Sequence, residues 1–338
     1  MRGLIIGGGA IGQYMAARLT QGGQEAVIMA RPTQADTINA NGVALQVNGS
    51  MVRWPVRAIA EANDTLLRDP FELVIVAVKA YSTGEAVRTI SSIAACSQAS
   101  ILTVQNGLGN EEELAEAFGA DRVIAGALTV AVDRLDATTV AATKKGGLCI
   151  SPVGRSAHNW VIATMSSSGI PVRAISSWRA LKWSKLCINI LGNGVCAALD
   201  WLPEQVYANP LAFSIEHACL RETIAVMEKL ELTPVNLIDF PAALLVRAAR
   251  LLPAPILRTV LKRRVASGRG GKLPSLLMDL RAGRPQTEVM ALNGAVALNA
   301  VRAGIQAPAN AKISSVVSAV ASGQTSWDDY RSQPSKLM

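Results

Sequence analysis

The chain has 338 residues, too many for one compact core and a suitable length for two domains of ordinary size. Half of its residues are hydrophobic and 17% are charged, which excludes global disorder and provides for a large buried core. Five cysteines without C-x-x-C spacing, beside two histidines, argue against a metal site and for a reducing compartment.

The chain opens on Gly3-Leu4-Ile5-Ile6, the signal of a short buried strand. It runs into Gly7-Gly8-Gly9-Ala10-Ile11-Gly12, a G-x-G-x-x-G match, and the pattern predicts a helix from Ile11 to about Gln21. Glycine-rich turns are common, but a strand before and a helix after is the context of a dinucleotide loop. Gly7, Gly9 and Gly12 would provide the tight turn, the close approach to a pyrophosphate and the close helix–strand packing. The helix start at Ala10 and Ile11 would offer backbone N–H groups to the phosphates. Because glycines interrupt the apolar stretch, a secretory signal peptide is not expected.

A second strand, Ala26 to Ala30, closes on Arg31. NAD-binding chains carry an acid there that bonds the ribose 2′-hydroxyl, whereas an arginine pairs with a 2′-phosphate. The expected cofactor is therefore NADP(H), the alternative for Arg31 being a solvated strand end. Pro32 to Pro70 is more polar and reads as helix, short strands and loop. Leu73 to Val78 is a continuous apolar run of the kind buried on both faces of a parallel sheet, and it ends at Lys79. Ile101 to Val104 is the next such run, ending at Gln105-Asn106-Gly107-Leu108-Gly109, after which Asn110-Glu111-Glu112-Glu113 starts a helix. Shorter strand signals follow at Val123–Ala127, Leu148–Ser151 and Pro171–Ile175. From Ser177 onward the pattern is helical, which places a boundary near Ser176 and divides the chain into domains 1–176 and 177–338.

The formal charge of +8 is concentrated at Arg247, Arg250, Arg258, Lys262, Arg263, Arg264, Arg269 and Lys272, interleaved with leucine, isoleucine and valine. This suits amphipathic helices broken at Pro253 and Pro255. Anionic lipid or RNA could meet such a segment, but without stacking aromatics it reads as a solvated basic face over a core. No apolar run reaches the roughly 18 residues of a membrane span. A soluble, cytoplasmic protein with neither nucleic acid nor membrane as partner is expected, and a homodimer stays open.

In a parallel sheet, ligands bind beyond the carboxyl ends of the strands, which puts Lys79 and Asn106 beside the glycine loop. Lys79 could meet cofactor or substrate anions and Asn106 the nicotinamide or the substrate; either could instead cap a loop. Lys185, Asn189 and Asn193, spaced i, i+4, i+8, would form one polar stripe on an otherwise apolar helix. Such groups need partners when buried, either a ligand or a structural polar network. Ser275, Asp279, Glu288 and Asn293 form a later cluster that reads equally as helix caps or as part of a site.

Taken in order, these pieces resemble the ketopantoate reductases (2-dehydropantoate 2-reductases). They are the glycine loop with Arg31, Val78-Lys79-Ala80, Gln105 to Gly109, the Lys185/Asn189/Asn193 segment, and Ser275 to Asn293. The resemblance implies an N-terminal Rossmann dinucleotide-binding domain followed by an all-α C-terminal domain, with the active site in the cleft between them. It implies that Lys185 is the general acid, protonating the C2 oxygen of ketopantoate as NADPH delivers hydride to the carbon. Asn189, Asn193 and Ser275 would bind the substrate's hydroxyl and carboxylate, and Asn106 would lie between substrate and nicotinamide. Lys79 would position cofactor and substrate, and Glu288 would contact the cofactor ribose and orient Lys185. The product would be pantoate, a precursor of pantothenate and coenzyme A. Reduction of another branched or aromatic 2-oxo acid is the neighbouring alternative, and an NADPH-sensing regulator without turnover the more distant one. The chain departs from the family pattern at Gly194, where many relatives carry proline, at the extra Gln286, and at Met290, where an acid is common.

Overall fold

The computed structural model describes residues 1–61, 64–143, 145–263 and 273–338. Arg264, Arg269 and Lys272 of the basic stretch lie outside the described residues. The chain forms two compact units. One comprises Met1–Gln105, Asn110–Lys182 and Leu237–Phe240; the other comprises Asn106–Gly109, Trp183–Asn236 and Pro241–Met338.

The first unit is a Rossmann-like α/β unit. Its strands are β1 (Arg2–Ile6), β2 (Glu25–Met29), β3 (Val43–Val47), β4 (Ser50–Trp54), β5 (Arg57–Ile59) and β6 (Leu73–Val76), then β7 (Ser100–Thr103), β8 (Val123–Leu128), β9 (Val132–Arg134), β10 (Thr139–Ala142), β11 (Leu148–Pro152) and β12 (Val172–Ala174). Eight of them form one sheet in the order β12-β11-β8-β7-β6-β1-β2-β5. From β5 to β8 every neighbouring pair is parallel, and β11 turns antiparallel against β8. The remaining four form a small sheet, β4-β3-β10-β9. Because successive side chains point to opposite faces, the continuous apolar runs supply two cores. Ile5, Ile28, Ile75 and Leu102 join the core that holds Tyr14, Met15 and Leu19 of the helix Ala10–Gln21. Leu4, Ile6, Val74, Val76 and Ile101 join the other, with Ala86 and Ile90 of the helix Thr83–Ser92. The register pairs Ile6 with Met29, Ile6 with Val76 and Val76 with Thr103, so the carboxyl ends of β1, β2, β6 and β7 lie level.

The second unit is helical. Its longest helix, Pro210–Lys229, starts where the Asn209 side chain accepts from the N–H groups of Leu211 and Ala212, with proline in the first turn. Leu220 and Ile224 of this helix share a core with Leu186, Ile190, Leu257, Leu276 and Val296. In the basic stretch, the chain breaks between the helices Ala242–Leu251 and Ala254–Leu261. Pro253 precedes the second helix, but Pro255 sits inside its first turn, where the missing N–H costs nothing, so it does not break the helix as expected. Val246, Ala249, Leu257 and Leu261 face the core, while Arg247, Arg250, Lys262 and Arg263 are exposed. No helix among the described residues is long and apolar enough to cross a membrane.

Both histidines lie below their ordinary pKa. Burial, partly offset by Asp121, holds His158 down, and burial together with Arg221 does the same for His217. A depressed folded pKa means that the unfolded chain binds the proton more readily. The stability these residues contribute is therefore present above about pH 6.5 and lost as the pH falls through their folded values. Urea midpoints are expected to decline from about pH 7 toward pH 5, and less steeply in the H158Q/H217Q variant. An unchanged slope in that variant would contradict the assignment.

Candidate functional site

The first unit carries the dinucleotide motif. Gly7 follows β1 with a φ of +115°, a backbone conformation that favours glycine. A Cβ on Gly12 would stand 1.9 Å from the carbonyl oxygen of Gly7, so the first turn of the helix Ala10–Gln21 can approach the strand end only as glycine. Gly9 is the residue before that helix; nothing stands within 4 Å of where its Cβ would be, and no side chain caps the helix start. The N–H groups at Ala10 and Ile11 thus have neither a side-chain cap nor a Cβ at Gly9 in front of them, which fits a pyrophosphate. Two side chains hold the loop in shape: Gln13 donates to the Gly8 carbonyl at 3.0 Å and to that of Ala137 at 2.9 Å, and Gln34 donates to the Gly8 carbonyl as well. Neither glutamine stands out in the sequence, since a polar residue in the first turn of a helix is unremarkable there.

Arg31 is exposed just past β2 and precedes the helix Pro32–Asn41. A guanidinium beside the positive end of a helix is a fitting environment for an additional phosphate. Lys79 is partly buried just past β6 and opens the short 3₁₀ turn Ala80–Ser82. Gly7, Gly9, Gly12, Arg31 and Lys79 therefore share the carboxyl edge of the parallel sheet.

Behind this edge lies a buried polar network that the sequence reading missed. Lys182 and Glu111 form an ion pair at 2.8 Å with both side chains at most 2% exposed. Lys182 also donates to the Gln105 carbonyl at 2.7 Å and reaches that of Gly126 at 3.5 Å. Burial pushes the Glu111 carboxyl up, against the pull of Lys182. The nearest signal is the acid-rich helix start Asn110-Glu111-Glu112-Glu113, whose acids suit the positive helix end.

The second unit gathers the amides. The helix Trp178–Ile190 buries Trp183, Ser184, Leu186, Cys187 and Ile190, whereas Lys185 and Asn189, one turn apart, stay partly accessible. The Asn189 amide donates to the Asn106 side-chain oxygen at 3.2 Å. Asn193 is not the third residue of a helical stripe, because the helix ends at Ile190. Gly192 takes a φ of +58° and gives its N–H to Glu216 at 2.8 Å, turning the chain back. The turn still returns Asn193 to Asn189, whose carbonyl accepts from its amide at 3.2 Å. The Asn193 oxygen accepts from the N–H of Leu276 at 3.1 Å, next to Ser275 at the start of the helix Ser275–Arg281. Asn106, Asn189, Asn193 and the Leu276 N–H thus form one connected group, with Ser275 next to it in the chain.

Glu288 is 4% exposed and begins a 3₁₀ turn that Thr287 caps. The segment is tied to the Asn106 loop, since the Leu108 N–H donates to the Ala291 carbonyl at 3.0 Å. The extra Gln286 is exposed, and Met290 points outward at 60% exposure. Asp279 pairs with Arg284 at 3.3 Å. Asn293 belongs to the core: its amide donates to Asn310 at 2.9 Å, and Asn310 reaches the Cys219 carbonyl and Glu222. A Cβ at Gly194 would stand 2.7 Å from both the Asn293 oxygen and Ile313, which explains glycine at that position.

Two models of one family match the chain, Ketopantoate reductase PanE/ApbA over residues 4–155 and Ketopantoate reductase PanE/ApbA C terminal over residues 177–321. The chain belongs to the ketopantoate reductase family. Among relatives, the family's 2-dehydropantoate 2-reductase from Aquifex aeolicus is 24% identical, the match covering 94% of this chain and 96% of that protein. The Halobacterium salinarum 2-dehydropantoate 2-reductase is 27% identical over 88% and 91%. Among solved structures, the Ralstonia eutropha PanE/ApbA family ketopantoate reductase superposes with a TM-score of 0.80 at 23% identity, covering 96% of this chain and 99% of that one. A ternary structure of D-mandelate dehydrogenase with NADH and anilino(oxo)acetate also reaches 0.80, at 18% identity over 96% and 99%. The fold is thus that of ketopantoate reductases, a Rossmann-like unit followed by a helical one.

Proposed function

We propose that the chain is an oxidoreductase that reduces ketopantoate (2-dehydropantoate) to pantoate with NADPH. The observation that carries this reading is the partly accessible Lys185 one turn from Asn189, itself bonded to Asn106, in a chain that also holds an open dinucleotide loop. The glycine loop and Lys79 hold the dinucleotide, and Arg31 selects its 2′-phosphate. When bound, the cofactor supplies the hydride.

The remaining steps belong to this chain's side chains. The Lys185 ammonium stabilises the negative charge that grows on the C2 oxygen and then gives that oxygen a proton from Nζ, so hydride and proton together account for the alcohol. Asn189, Asn193 and Ser275 bind the substrate's hydroxyl and carboxylate, and Asn106 orients substrate against nicotinamide. A positioned amide set of this kind lowers the entropic part of the barrier. Glu288 keeps Lys185 in place and meets the cofactor ribose. Glu288→Ala is expected to lower kcat or weaken cofactor affinity by about tenfold or more, in the range of a lost hydrogen bond to a charged group. Unaltered kinetics would mean that the segment after Gln286 does not serve the reaction.

The likeness to a mandelate dehydrogenase favours one second reading, an aromatic 2-oxo acid as substrate. Initial rates of NADPH oxidation with ketopantoate, a branched 2-oxo acid and an aromatic 2-oxo acid separate the two. The highest kcat/KM is expected with ketopantoate. A higher value with the aromatic acid would transfer the same mechanism to that substrate.

A further inference from the structure

The segment Asn106–Gly109 joins the two residues Gln105 and Asn110, and it is poorly determined by its own sequence. Gly107 and Gly109 have φ values of +83° and +97°, conformations that glycine adopts but does not enforce. Besides the Asn189 amide and the bond from the Leu108 N–H to the Ala291 carbonyl, what holds Asn106 in place comes from the ends of the segment. Both ends enter the buried network of the first unit. The Gln105 amide donates to the Thr83 hydroxyl at 2.9 Å, and its oxygen accepts from Thr103 at 3.0 Å. The same Thr83 hydroxyl lies 2.9 Å from the Asn110 side-chain oxygen. The last backbone carbonyl before Asn106, that of Gln105, accepts from Lys182, which also reaches the Gly126 carbonyl and lies 2.8 Å from the Glu111 carboxylate.

A buried ion pair is a poor way to gain stability, because desolvating both charges cancels much of their attraction, and apolar residues of similar size often do as well. Its use here points to a geometric role. We propose that Lys182 and Glu111 are positioning residues for Asn106: the pair fixes the Gln105 carbonyl and so aims the Asn106 side chain for the reaction. This rests on the reading of Asn106 as a substrate-orienting residue. Neither Lys182 nor Glu111 touches substrate or cofactor in this scheme.

The test compares Lys182→Met with the double variant Lys182→Met/Glu111→Gln. The single variant strands a buried carboxylate and is expected to lose stability or fail to fold. The double variant removes both charges at similar volume, so its urea midpoint is expected to fall less than that of the single variant. With saturating NADPH, its kcat on the best 2-oxo acid is expected to fall about tenfold, the usual penalty for a misaligned reacting pair being at least that large. NADPH affinity should stay within about twofold, since the glycine loop is untouched. Backbone hydrogen exchange across residues 106–110 is expected to quicken about tenfold, as anchored segments do when their anchors are lost. A double variant with wild-type kcat, or with wild-type exchange in that segment, would overturn the proposal and leave the pair a purely structural feature. The exchange measurement needs no turnover, so it decides the matter even if the proposed reaction is wrong.

Discussion

Arg31→Asp is expected to weaken NADPH binding by about two orders of magnitude while leaving NADH binding unchanged or improved. A charge-assisted hydrogen bond contributes about 1.5–3 kcal/mol, and each 1.4 kcal/mol is roughly a factor of ten in affinity. The substitution removes such a partner and puts a carboxylate next to the 2′-phosphate, while the same carboxylate can accept from a free 2′-hydroxyl. Arg31 is exposed and precedes the helix Pro32–Asn41 without capping it through its side chain, so the change should leave the fold intact. Dissociation constants for both dinucleotides, measured on wild type and variant, test this. Equal weakening of NADPH and NADH would sink the assignment of Arg31 to the 2′-phosphate.

Lys185→Ala is expected to lower kcat by about 10²-fold or more, as the loss of a general acid does, with little change in NADPH affinity. The position is informative because its apolar neighbours on the helix are structural. Trp183 and Leu186 on either side are 4% and 1% exposed, whereas Lys185 itself projects from the partly accessible face. Truncating it leaves no core cavity, so the unfolding midpoint should barely move. Turnover at the wild-type rate in this variant would mean that the proton comes from another group.

Much of this architecture was legible in the chain. The runs Leu73–Val76 and Ile101–Leu102 are apolar at every position because helices cover both faces of the sheet, and that continuity identifies a parallel strand without an alignment. The glycine loop was equally legible, since Gly7 and Gly12 are required by backbone approach rather than by side-chain chemistry. The short strands β9 and β10 were not. They are only three and four residues long, and only their pairing with each other and with β3 defines them.

The second-unit group was half legible. The spacing of Lys185 and Asn189 marked a polar face, but no propensity argument revealed the turn at Gly192, which depends on Glu216 being available to accept its N–H. Asn193 nevertheless joins Asn189, because the turn replaces what helical spacing would have done. Asn293 went the other way: it stood beside the candidate residues in sequence, yet its partner is Asn310 in the core. The Lys182–Glu111 pair could not be read at all, for each residue sits in a segment where an exposed charge is the ordinary expectation.

The reaction itself is tested most directly by following the hydride. NADPH carrying deuterium at the transferring C4 position, incubated with the protein and ketopantoate, is predicted to yield pantoate with one deuterium at C2, read by mass spectrometry and NMR. NADPH that binds but is never oxidised by any 2-oxo acid would contradict the reductase account and make the chain a sensor of the cofactor.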